Sequence, residues 1–193
     1  MTELLQLLKI NNLNDLADSS TKKPVQSYDI LASKLPHLSG VINKNLFAAF
    51  DKNDYSVSEL SLNFFTQKPV KETDEKITIT VSDKEKDSRS VVFTFDCSSM
   101  KLTFDSSNSF SDGTSQTENF SNQKKSISVT ENTLKPVSLR FIFDNDSFIV
   151  FINNGESTFS DSYRLQKKAR RIKINTTITR GLQFKIINLS KAF

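Results

Sequence analysis

Tryptophan is missing from this 193-residue chain, and it holds one histidine, one cysteine and four glycines. Each shortage excludes something. One His and one Cys cannot build a His/Cys zinc site or a cysteine-held cluster. A single Cys cannot form an intramolecular disulfide, so the fold needs no oxidising compartment. Four glycines leave little room for a phosphate-cradling loop, and neither GxGxxG nor GxxxxGK[ST] occurs. No run approaches the roughly 20 apolar residues of a membrane helix. His37, the one imidazole, precedes Leu-Ser-Gly beside Pro36 and reads as a surface or linker residue in a turn rather than a catalytic base. Cys97 follows Asp96 in an expected hairpin turn, and a thiol with no neighbouring His reads as inert.

Phenylalanine is what the chain has in quantity: 16 residues in a composition that is 36% hydrophobic. That suffices for a core and argues against wholesale disorder. The distribution is of period two from Val41 onward. In Lys76–Ser82, Ile77, Ile79 and Val81 alternate with Lys76, Thr78, Thr80 and Ser82, so one face meets a core and the other water. Comparable strands are expected at Ser58–Thr66, Val91–Phe95, Lys101–Phe104, Ser126–Val129, Ser138–Phe143, Phe148–Ile152, Ile172–Thr179 and Leu182–Leu189. Asp144-Asn145-Asp146 and Asn154-Gly155 separate strands, the latter as a type I′ hairpin turn. The polar stretch Ser106–Lys125 reads as a long loop with a short strand at most. Many short strands without a βαβ rhythm predict an all-β, two-sheet antiparallel sandwich of jelly-roll or concanavalin-like type.

The first 36 residues differ. Leu4, Leu5 and Leu8 fit one helical face, so a short N-terminal helix is expected, followed by a polar linker closed by Pro24 and a second helical stretch, Ser27–Leu35. Glu3 and the short apolar run do not make a signal peptide, which gives a cytoplasmic expectation. The domain division is thus 1–36, helix and linker, and 37–193, sandwich.

Charge is uneven. Tyr163–Phe193 carries nine basic residues (Arg164, Lys167, Lys168, Arg170, Arg171, Lys173, Arg180, Lys185, Lys191) and no acidic one, leaving 17 basic and 22 acidic residues elsewhere, a net −5. Such a segment either forms an anion or nucleic-acid surface or lies beside acidic strands or an acidic partner. The second reading is preferred, because the basic residues are not interleaved with aromatics. The pairs Asp51/Asp54 and Asp144/Asp146 sit at expected strand ends, where Asp caps backbone N–H groups, and neither completes a calcium loop. Sugar-binding surfaces present aromatics, and Tyr28, Tyr55 and Tyr163 are the candidates for carbohydrate contact.

One segment carries a family resemblance. Ser138–Ser160, SLRFIFDNDSFIVFINNGESTFS, resembles the signature hairpin of the C-terminal β-sandwich of glycoside hydrolase family 32, the β-fructosidases (invertases, levanases, sucrose-6-phosphate hydrolases). Leu139, Arg140, Asp144, Ser147, Phe151, Asn153 and Gly155 fall in register with it. Upstream, Phe95, Asp96, Leu102, Phe104, Asp105 and Ser107 match the preceding family hairpin, and KKPVQSYDIL (Lys22–Leu31) resembles the linker that joins the catalytic propeller to the sandwich. Three positions depart from the pattern: Ile149 stands where the family has Glu, and Ser106 and Ser162 where it has Arg. In the full enzymes such polar residues often serve the interface with the catalytic domain.

The resemblance implies an accessory module. The family's catalytic carboxylates lie on propeller motifs resembling W-[ML]-N-D-P-[NG]-G, R-D-P and E-C, none of which occurs here, so no catalytic residue, cofactor or metal carries over. It implies structural support of a propeller domain, or contacts within a homodimer. The alternatives are a stand-alone fructan-binding module and, third, an anion or nucleic-acid binder.

Overall fold

The computed structural model describes residues 37–42, 47–50, 55–66, 75–83, 89–109, 124–130, 136–165, 170–178 and 181–189. Twelve strands run through them: β1 His37–Ile42, β2 Phe47–Phe50, β3 Val57–Phe64, β4 Lys76–Asp83, β5 Ser90–Asp96, β6 Lys101–Asp105, β7 Lys124–Ser128, β8 Val137–Asp144, β9 Ser147–Ile152, β10 Ser157–Ser162, β11 Arg170–Thr176 and β12 Leu182–Asn188. They form two six-stranded sheets, β1-β12-β3-β8-β9-β10 and β2-β11-β4-β5-β6-β7, with antiparallel pairing throughout. This is the expected all-β sandwich. The expected N-terminal helix and linker, residues 1–36, lie outside the described residues.

Alternation builds the core. Leu60, Leu62 and Phe64 of β3, with Leu139, Phe141 and Phe143 of β8, turn inward from the first sheet. Ile77, Ile79 and Val81 of β4, with Val91, Phe93 and Phe95 of β5, meet them from the second. Phe93 is the hub: its ring lies 4.7 Å from Phe148, 5.1 Å from Phe104, 5.2 Å from Phe141 and 5.9 Å from Phe143. Its edge-on geometry with Phe141, Phe143 and Phe148 sets ring edges against ring faces, the favourable quadrupole arrangement. A Phe-rich, Trp-free core suits this slot, because Phe brings no polar atom that would need a partner between the sheets.

Nine expected strands are present, with ends moved by a few residues. Two differences stand out. Leu38, Ser39 and Gly40 are not a turn but part of β1, so His37 opens a strand. Gly40 is there for packing: a Cβ at that position would lie 3.1 Å from Phe184 Cε1 across the β1–β12 pair. The β9–β10 connection is not a two-residue type I′ turn, because Ile152 pairs with Ser157 and leaves four residues between them. Asn153, Asn154 and Gly155 all take positive φ (50°, 61° and 96°) and wind a single 3-10 turn. The β8–β9 hairpin does close in two residues, with Asn145 at φ 51°. Only the ends of the expected loop Ser106–Lys125 are described, and its last two residues already belong to β7.

Candidate functional site

The outer face of the first sheet carries a layer of buried and paired side chains. Register alone assembles it. Ile187 of β12 stands beside Glu59 of β3, Glu59 beside Ile142 of β8, and Ile142 beside Ile149 of β9. All four point away from the inter-sheet core, yet they are only 1%, 5%, 4% and 6% exposed. This row is therefore a second, shallow layer of buried side chains. Ile149, where the family pattern has Glu, completes its apolar part.

The row beside it is Ser61, Arg140 and Phe151. Arg140 Nη2 donates to Glu59 Oε2 at 3.0 Å, and Ser61 Oγ donates to Glu59 Oε1 at 3.1 Å. The Arg140 guanidinium lies 5.9 Å from the centre of the Phe151 ring. Both Glu59 oxygens are thus satisfied, as a buried carboxylate requires. One row further along the strands, Asn63, Ser138 and Asn153 are neighbours, and there the face opens into a cleft of about 160 Å³ lined by Asn63, Pro136, Val137, Ser138, Asn153, Asn154 and Glu156.

A second charged assembly ties the sheets together. Arg170 of β11 donates from Nη1 to Asp83 Oδ1 of β4 and from Nη2 to Asp146 Oδ1 of the β8–β9 turn, both at 3.0 Å. Tyr163 N–H donates to the Asp146 carbonyl at 2.7 Å. Burial pushes the Tyr163 phenol well above its ordinary value, with Arg170 opposing and Asp146 reinforcing the shift. The assembly joins one sheet to a turn of the other, with Arg170 and Asp83 buried and Asp146 exposed at the turn.

The residues singled out in the sequence fall as follows. Tyr28 lies outside the described residues. Tyr55 and Tyr163 are 6% and 2% exposed and belong to the core, so neither offers a ring face to a sugar. Asp51 and Asp54 lie outside the described residues. Asp146 is paired with Arg170, and Asp144 accepts the Asn145 side-chain amide at 3.1 Å, so this pair serves its hairpin. Cys97 is buried, and burial first, then Glu75 and Asp96, pushes its thiol up to about 12. In the basic segment, Arg170 is an internal ion-pair residue, and Arg171 and Lys173 also have interactions within the chain. Among the described residues no group of three or more His, Cys, Asp or Glu could hold a metal. What sequence reasoning missed is the Glu59–Arg140 pair and the cleft, whose members are up to 93 positions apart and meet only through the β3–β8–β9 register.

The fold is a two-sheet antiparallel β-sandwich whose described aspartates and Glu59 largely serve turns and ion pairs. Comparison with known proteins gives it a family. Residues 15–185 match the model "Glycosyl hydrolases family 32 C terminal", and the chain belongs to that family. The search of curated proteins returned no match. Among solved structures, the chain is similar to the exo-inulinase of Aspergillus awamori, with 14% identity and a TM-score of 0.60 over 81% of this chain and 30% of the inulinase. It is similar to the β-fructofuranosidase of Schwanniomyces occidentalis, with 13% identity and a TM-score of 0.61 over 79% of this chain and 33% of that one. It is also similar to the family 32 β-fructofuranosidase of Bombyx mori, with 17% identity and a TM-score of 0.53 over 86% of this chain and 29% of that one. The chain spans about a third of the length of each of these enzymes.

Proposed function

We propose that this chain acts as a non-catalytic accessory sandwich of a β-fructosidase-type glycoside hydrolase, supporting a catalytic propeller domain. The observation that carries the reading is coverage: four fifths of this chain superimpose on less than a third of the inulinase. The engagement of the described carboxylates agrees with it. Asp83, Asp96, Asp105, Asp146 and Asp161 are each in an ion pair, and Glu59 is in another. Docking of a catalytic domain needs exposed apolar surface, and Leu38, Val41 and Phe65 are the exposed large hydrophobic side chains among the described residues. Interfaces between domains of one chain bury about 600–1,500 Å² and tolerate mixed polar and apolar surface of this kind.

The test is enzymatic. The purified chain releases no fructose from sucrose, sucrose 6-phosphate or inulin, whereas release at an enzymatic rate overturns the proposal. Restoration is tested by adding a separately expressed family 32 propeller. Sedimentation velocity then shows a complex of the two, and the absence of any complex removes the docking reading.

A further inference from the structure

The buried layer on the outer face of the first sheet needs something above it. Ile142, Ile149, Phe151 and Ile187 are buried, yet they lie outside the inter-sheet core. The outer face of an antiparallel sheet is solvated unless a further layer packs on it. Every described strand belongs to one of the two sheets, so no described strand crosses this face. The burial is also graded along the strands. On β12, Ile187 is buried, whereas Lys185 and Gln183 on the same face are exposed. On β3, Glu59 is buried and Asn63 exposed, and on β1 Ser39 and Val41 are exposed. The cover therefore sits over one end of the face. That end is where the chain enters the sheet. His37, the first residue of β1, pairs with Ile187, in the row that continues through Glu59, Ile142 and Ile149.

We propose that this end of the first sheet is the docking surface of the chain's own N-terminal segment, residues 1–36, with Leu4, Leu5 and Leu8 set against Ile142, Ile149 and Ile187. Attachment is the first reason. The segment joins the sheet at His37, at the end of the buried row, so a covalent tether holds it at high effective concentration over the row. Composition is the second. Leu4, Leu5 and Leu8 share one face at helical spacing, an apolar surface that matches an apolar row. Length is the third. The row crosses four strands, roughly 14 Å at about 4.8 Å between neighbours. A helix through Leu16 would span roughly 24 Å. Residues 190–193 also leave β12 at this end, but they bring one large apolar side chain, Phe193, to a row that holds three isoleucines. A cover also accounts for Ile149. Beneath a packed segment an apolar side chain is favoured, whereas the Glu of the family pattern would be a buried charge. The inference concerns this chain alone and does not rest on the accessory role.

The test is methyl NMR on the full chain, with ¹³C-labelled Ile and Leu methyl groups. Nuclear Overhauser effects are expected from the methyls of Ile142, Ile149 and Ile187 to those of Leu4, Leu5 and Leu8. The double variant Leu5→Glu, Leu8→Glu should shift the three isoleucine signals and abolish those contacts. The signals of Ile79 and Ile174, which lie in the inter-sheet core, should stay in place and report that the sandwich remains folded. A sample mixing two differently labelled chains separates contacts within one chain from contacts between copies. The proposal is overturned if the three isoleucines show contacts only to residues 190–193 or to another segment. It is equally overturned if the contacts arise only between copies, or if the double variant leaves the three signals unmoved.

Discussion

Arg170 stands directly opposite Asp83 in the β11–β4 ladder, with Nη1 and Oδ1 3.0 Å apart and side chains only 3% and 4% exposed. The pair is among the most secluded charge of the described residues, and Asp146 joins it from the other sheet. Removing one partner of a buried pair strands the other in low dielectric. Arg170→Met is therefore expected to cost about 3–5 kcal/mol of unfolding free energy. Replacing both partners, Arg170→Met with Asp83→Asn, removes the stranded charge, so the double variant should be clearly more stable than the sum of the single losses. Urea unfolding of the four proteins measures this coupling, and strictly additive losses would contradict the pairing.

Phe93 tests the hub of the core. Its four aromatic neighbours come from both sheets, so truncation empties the centre of the sandwich rather than an edge. Phe93→Ala should cost about 3–5 kcal/mol. Phe159→Ala on edge strand β10, where the ring is only partly buried and touches Phe104 and Phe148 from outside, should cost distinctly less. Equal losses in urea or thermal unfolding would show that the core is not centred on Phe93.

Those two positions also show where the sequence could be read and where it could not. Phe93 sits in SVVFTFD, whose alternation announces a half-buried strand. Strand β10, STFSDS, has a single apolar residue and half-exposed alternation, so hydrophobicity carries no signal there; it exists because β9 offers a pairing edge. Strand β1 was disguised by Ser39-Gly40, a turn-like pair whose glycine serves the close approach of the Phe184 ring. Sheet order lies beyond local pattern altogether, since β3 pairs with β8 and β12 across long stretches of chain. For the same reason Arg170 is visible in the sequence only as one of a basic run; its role depends on its partners, and partners are set by register. The family's hairpin, by contrast, is a local signal, and it was legible.

Cys97 gives a third prediction. Its thiol is buried at the start of the β5–β6 turn and held high by burial and by the Glu75 and Asp96 carboxylates, at about 12. The thiolate is the reactive species, so almost none exists at neutral pH. Native protein should be inert to a disulfide reagent at pH 8 and become stoichiometrically labelled once urea unfolds it. Rapid labelling of the native state would mean that the turn opens freely.

Acid stability follows from two turn-capping aspartates. Asp96 Oδ1 accepts from the Ser98 N–H at 2.9 Å, Ser98 Oγ at 2.6 Å and the Ser99 N–H at 3.2 Å. Burial pushes this carboxyl upward, but those bonds and Lys76 outweigh it and hold it below the ordinary value of 3.8. Asp105 is lowered chiefly by the Ser107 hydroxyl and then by the Ser107 N–H at 3.0 Å, with burial opposing and Lys124 adding to the shift. Both groups are thus more acidic folded than unfolded. The folded state then binds fewer protons, so their contribution is complete above the unfolded value and declines as pH falls through the folded one. The urea midpoint should hold steady from neutrality to about pH 5 and drop below about pH 4. Asp96→Asn and Asp105→Asn should each lower the midpoint at pH 7 and flatten the decline at low pH. A variant that loses stability at pH 7 but keeps the full acid slope would show that its carboxylate is not what titrates.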